Sequence, residues 1–128
     1  MTDYFGYKVR DQLYGGEHSY FKSNPHVSGM VAEDGMIIFN PYSPNINKDA
    51  VGQNEAARLW LRENNVEPKF NVTPEQAARF KGTAYENDEL ALKHSILGRI
   101  ISNDPSAGAV TPMQKKWADW LLKSLKAR

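Results

Sequence analysis

Cysteine is absent from all 128 residues, which excludes disulfides and thiolate metal ligands and leaves histidine and carboxylates as the available strong metal donors. Histidine is scarce too. His18, His26 and His94 stand far apart, with none of the short spacings that build a metal site. Neither sign of charge dominates: 16 Lys and Arg against 15 Asp and Glu leave a net charge of +1, so no overall field draws the chain to nucleic acid or to an anionic membrane. No apolar run approaches the length that spans a bilayer, and the opening Met1-Thr2-Asp3-Tyr4-Phe5-Gly6-Tyr7-Lys8 has neither the basic nor the apolar region of a secretory signal. An intracellular product without a membrane partner is expected. Also missing are G-x-S-x-G, a glycine-rich phosphate loop, internal repeats and low-complexity tracts, which removes the commonest hydrolase and nucleotide-binding signatures. No cofactor is implied.

What is present suits one folded domain over residues 1–128, since 41% hydrophobic and 24% charged residues are ordinary globular values. Residues 1–16 are rich in aromatics and close on Gly15-Gly16, a pattern that predicts an irregular arm laid on the core. A short helix is expected from Glu17 to Ser23, ended by Asn24-Pro25, because the residue before proline is pushed out of helical geometry. Between His26 and Phe39, two apolar runs flank Glu33-Asp34-Gly35, which reads as an antiparallel hairpin with glycine at the positive-φ turn position.

A helix follows over roughly residues 48–64, with Asn45 or Asn47 as its cap. Thr73-Pro74-Glu75-Gln76 and Thr111-Pro112-Met113-Gln114 each combine a capping Thr, a first-turn Pro and a Gln three residues on, so both open helices. The first of these should stop near Lys81-Gly82. Asn87-Asp88-Glu89 starts another helix, whose Leu90, Ile96, Leu97, Ile100 and Ile101 predict an apolar face. In the last helix Trp117, Trp120, Leu121 and Leu125 read as the inward stripe. The fold class that emerges is α+β: helix-rich, with one small hairpin and about four longer helices.

The densest chemical signal is Asn54-Glu55-Ala56-Ala57-Arg58, which has the spacing of H-E-x-x-H with both histidines replaced. In the zinc-binding form two imidazoles hold the metal and the Glu acts as base on the bound water. Arg cannot be deprotonated and Asn is a poor zinc ligand, so this pentad cannot hold zinc in that way. Two readings follow. Glu55 could serve a hydrolase as a lone general base, with Arg58 and Asn54 positioning substrate and His18, His26 or His94 entering from elsewhere. Alternatively Glu55 and Arg58 pair along the helix, with Asn54 and Arg58 bonded to carbonyls of the hairpin or the Asn-Pro turn, and this structural reading is preferred.

Two further surfaces stand out. Tyr4, Phe5, Tyr7 and Tyr14 supply the residue types that dominate protein interfaces, so the arm either contacts a partner or a second copy, or folds back on its own core. Residues 112–128 carry five basic residues against one acidic, and a nucleic-acid reading would use Lys115, Lys116 and Lys123. The bland alternative is a solvated face with cations at the negative pole of the helix, and the sequence shows no aromatic interleaved for base stacking.

Taken together, Ser23-Asn24-Pro25-His26-Val27-Ser28-Gly29-Met30, Ala32-Glu33-Asp34-Gly35, Asn40-Pro41-Tyr42-Ser43, the Asn54 pentad, the helix start at Thr73, Asp104-Pro105-Ser106 and Thr111-Pro112 resemble a family of small proteins of tailed phages and prophages. The likeness covers most of residues 20–115. It implies a viral or prophage origin, in the infected cell's cytoplasm or on the virion, and carries no catalytic residues across. A narrower likeness to a minimal zincin takes in only the strand ending at Phe39 and the following helix. The expectation is an accessory or structural protein that works through protein contacts.

Overall fold

The computed structural model describes residues 3–44 and 46–128. Their order is β1 (Asp3–Tyr4), β2 (Tyr7–Lys8), α1 (Glu17–Ser23), β3 (Gly29–Val31), β4 (Ile37–Phe39), α2 (Lys48–Glu63), α3 (Pro74–Arg79), α4 (Glu89–Ile101), a single 3-10 turn (Pro105–Ala107) and α5 (Pro112–Lys126). Strands β1 and β2 form one antiparallel pair and β3 and β4 another, so the chain is a small α+β domain in which helices make up 48%.

Local chemistry accounts for the element boundaries. Asn47 caps α2 by accepting the Ala50 amide at 3.1 Å, while Asn45 lies outside the described residues. Asp88 caps α4 through the Ala91 amide at 3.0 Å. Thr73 and Thr111 both close full capping boxes, each with its own Gln returning to the Thr amide. The β3–β4 turn places Gly35 at φ +81°, where a Cβ would be strained. Helix α3 is shorter than expected and ends at Arg79, with Gly82 at φ +82° in the turns beyond it.

Helix α2 is the centre of the molecule. It packs along α4, touches α5, and carries the β3–β4 hairpin and the N-terminal pair on its other sides. Neighbouring hairpin residues serve opposite faces, as a strand requires: Ile37 joins the main core with Leu61, Ile96, Leu97 and Leu121, whereas Ile38 joins Phe21 and Ala32 in a smaller core under α1. Asn40 closes that smaller core. Its buried amide donates to the carbonyls of Phe21, Asn24 and Val27 and its oxygen accepts the Tyr42 amide at 2.8 Å.

Three expectations are corrected. The first concerns the N-terminal segment, which is not irregular over residues 3–9: β1 and β2 pair, Val9 bridges to Ile37, and the Arg10 amide donates to the Ile37 carbonyl at 2.9 Å. Of the proposed contact residues in this segment, Tyr4 and Tyr7 are buried in the main core, Phe5 is half-buried at the turn, and Tyr14 alone is exposed. Second, Leu90 points to solvent and Leu92 takes the inner position, because the buried stripe of α4 runs through Leu92, Ser95, Ile96 and Ile101. Third, the inward stripe of α5 is Gln114, Ala118, Leu121 and Leu125; Trp117 lies at its edge and Trp120 is 42% exposed.

Candidate functional site

Helix α2 directs its pentad at two neighbours. Asn54 meets α4 at Gly98, and its Oδ1 is buried without a hydrogen-bond partner among the described residues. A Cβ at position 98 would collide with that oxygen, so glycine there leaves room for the Asn54 side chain between the two helices. Glu55 is buried, and its Oε1 accepts from the Arg58 guanidinium at 3.1 Å. Arg58 lies over the Tyr85 ring, 5.1 Å from its centroid. The ion pair read from the sequence is therefore present, but neither Asn54 nor Arg58 bonds a carbonyl of the hairpin, a task that falls to Asn40 instead.

The pentad is not sealed. Asn54, Glu55, Arg58 and Arg62 line a cleft of about 750 Å³, closed on one side by the β3 segment and on the other by Thr83, Tyr85, Arg99 and Asp104. Only His26 of the three histidines reaches it. His18 sits edge-on to Tyr42, and buried His94 donates from Nε2 to the Val66 carbonyl at 2.8 Å, with burial holding its pKa below the usual imidazole range. Among the described residues no three His, Asp or Glu side chains converge as a metal-ligand set.

Burial raises the Glu55 pKa above the ordinary carboxylate value, and the charges of Arg58 and Arg62 offset this only in part. A carboxyl whose pKa is higher folded than unfolded binds a proton on folding between the two values, so stability falls as pH rises from about 4.3 through the folded value and the loss is complete above it. Glu55→Gln removes that loss. The variant is expected to gain stability relative to the parent on going from pH 4 to neutral pH, measured as paired urea midpoints across the range. Parallel pH profiles for the two proteins would refute the assignment.

A second surface gathers all three tryptophans of the chain. The Trp60 and Trp120 rings meet edge to face at 5.6 Å, and those of Trp117 and Trp120 at 5.3 Å, across the seam of α2 and α5. Trp117 and Trp120, with Val66, Glu67, Met113 and Lys116, line a shallow, mostly apolar groove of about 540 Å³. At about 100° per residue, Lys123 falls on the same flank as Lys116, one on each side of Trp120, whereas Lys115 is turned about 100° from Lys116. The lysines singled out for nucleic acid thus divide between two flanks, and an aromatic is interleaved on one of them.

Comparison of the chain with protein-family models, with curated proteins and with solved structures finds no match. Arg99, Tyr85 and Trp60 carry no signal in the sequence reading, which places Trp117 and Trp120 in the core stripe of the last helix. Arg99 and Tyr85 lie far from the pentad in sequence and in no motif with it, and the tryptophans carried a periodicity that fitted a core helix equally well.

Proposed function

We propose that this chain is a phage-encoded accessory protein that acts by binding another protein, and that the contact is made by the tryptophan face of α2 and α5. The observation that supports this reading is the concentration of every tryptophan at one incompletely buried seam, with Trp120 42% exposed and Met113 48% exposed beside it. Large aromatics in a groove are the residues on which binding energy concentrates. Of the N-terminal aromatics, Tyr4 and Tyr7 belong to the protein's own core and Phe5 packs against it, which leaves Tyr14 exposed.

The partner that fits is an acidic amphipathic helix, its apolar side chains entering the groove and its carboxylates meeting Lys116 and Lys123. Helix α5 carries excess positive charge over residues 112–128, which two copies apposed through the same face would set against each other. Glu67 in the groove wall likewise disfavours a phosphate backbone.

The test is a tryptophan-fluorescence titration with a leucine–glutamate amphipathic peptide and, separately, with oligo-dT, alongside sedimentation velocity of the protein alone. Saturable peptide binding with a blue-shifted emission, weakened about tenfold or more by Trp120→Ala and by Lys116→Glu with Lys123→Glu, is the expected result. Tighter binding of oligo-dT would replace the proposal with a nucleic-acid surface. A dimer dissolved by Trp120→Ala would replace it with self-association, and no binding by any probe would end it.

A further inference from the structure

The cleft beside the pentad holds more cationic hydrogen-bond donors than its own residues occupy. Arg99 enters from α4, half-buried, with its guanidinium 4.2 Å from the Phe80 ring centroid. A guanidinium has five N–H donors. Among the described residues the one side-chain hydrogen bond of Arg99 goes to Ser106 Oγ at 3.1 Å, and no carboxylate comes within ion-pair distance. Asp104, whose charge does reach Arg99, is engaged with the Ser106 amide at 2.9 Å. Burial lowers the Arg99 pKa, and the attraction of Asp104, although larger than the repulsion from Arg58 and Arg79, does not restore it.

Arg58 adds to the same excess. Among the described residues it gives one hydrogen bond, to Glu55, a carboxyl whose ionised form is itself opposed by burial. Arg62, one turn further along α2, has no ion pair among the described residues. The hairpin side of the cleft contributes Val27, Met30 and Val31 beside His26 and Ser28, and a volume of about 750 Å³ is within the range of small-molecule sites.

We propose that this cleft binds a small ligand made of an oxyanion, phosphate monoester or carboxylate, joined to an apolar body. The oxyanion is received by the guanidinium groups of Arg58 and Arg99, with Arg62 at the rim, and the apolar body lies against the hairpin wall. The site is separate from the tryptophan face and does not depend on the protein-binding reading.

The test is NMR titration of the full chain, following the arginine Nε–Hε resonances, with inorganic phosphate, phenyl phosphate and benzoate. Shifts of Arg58 and Arg99 that saturate at lower concentration for an aryl ligand than for inorganic phosphate are expected. Phenyl phosphate binding tighter than benzoate assigns the phosphate class, and the reverse assigns the carboxylate class. Arg99→Met and Arg58→Met should each raise Kd about tenfold or more, since each removes a forked charged contact. Arg99→Lys, which retains the charge and loses the fork, serves if Arg99→Met does not fold, and should weaken binding in the same direction. Millimolar ligand that leaves both resonances unmoved would overturn the proposal.

Discussion

Gln76→Ala and Gln114→Ala should each destabilise the domain by about 3–5 kcal/mol, an unusually large effect for a polar residue. Each glutamine completes the capping box of its own helix: the Gln76 Oε1 accepts the Thr73 amide at 3.0 Å, and the Gln114 Oε1 accepts the Thr111 amide at 3.2 Å. The two side chains then meet with both fully buried. Gln76 Nε2 donates to Gln114 Oε1 at 2.7 Å, and Gln114 Nε2 donates back to Gln76 Oε1 at 2.8 Å. Gln114 also donates to the Asn71 carbonyl at 2.9 Å.

The helix starts of α3 and α5 are therefore joined through a closed amide pair in the interior. Truncating one glutamine loses the box, worth about 1 kcal/mol, and breaks both bonds of the pair, leaving the other amide short of a donor and an acceptor where water cannot replace them. Because the two residues act as one unit, the double variant should cost about 1–2 kcal/mol less than the sum of the singles. Urea denaturation of the four proteins measures both quantities. Single variants within about 1 kcal/mol of the parent, or strict additivity, would show that the pair does not hold the helices together.

The second large effect is at the N-terminus. Tyr4→Ala should cost about 3–5 kcal/mol, the range for truncating a buried aromatic. Tyr4 packs edge to face on Phe39 at 6.5 Å and donates to Asp49 Oδ1 at 2.9 Å. Burial, with that carboxylate, pushes the phenol pKa up to about 12. Its ring lies where a Cβ on Gly52 would be. Glycine inside a helix is worth about 1 kcal/mol less than alanine, so Gly52→Ala would ordinarily stabilise α2. Here it should destabilise the parent and become neutral or stabilising once Tyr4 is Ala. A stabilising Gly52→Ala in the parent would refute the docking of β1 on α2. Removing residues 1–14 takes Tyr4, Tyr7 and Val9 from the main core, and should cost global stability as well.

Most of the fold was legible because its signals are local. Thr73-Pro74 and Thr111-Pro112 announce their helices through chemistry completed within four residues, and Glu33-Asp34-Gly35 announces its turn in the same way. The candidate site was legible only in part. The Glu55–Arg58 pair follows from helical spacing, but the cleft around it needs Tyr85 and Arg99, brought there by packing of α4 on α2. Trp120 was misplaced because its spacing is compatible with the core stripe, and its exposure depends on where α5 lies against Trp60.

By itself, then, the sequence determined the α+β class, the helix starts, the hairpin and the incapacity of the pentad to hold zinc through paired histidines, since each depends on residues one or two turns apart. Tertiary structure alone decided that Tyr4 and Tyr7 are core, that two capping glutamines join in the interior, and that Arg58 and Arg99 share one cleft. Those outcomes turn on distances between side chains many residues apart, which are set when whole helix faces compete for the same buried volume.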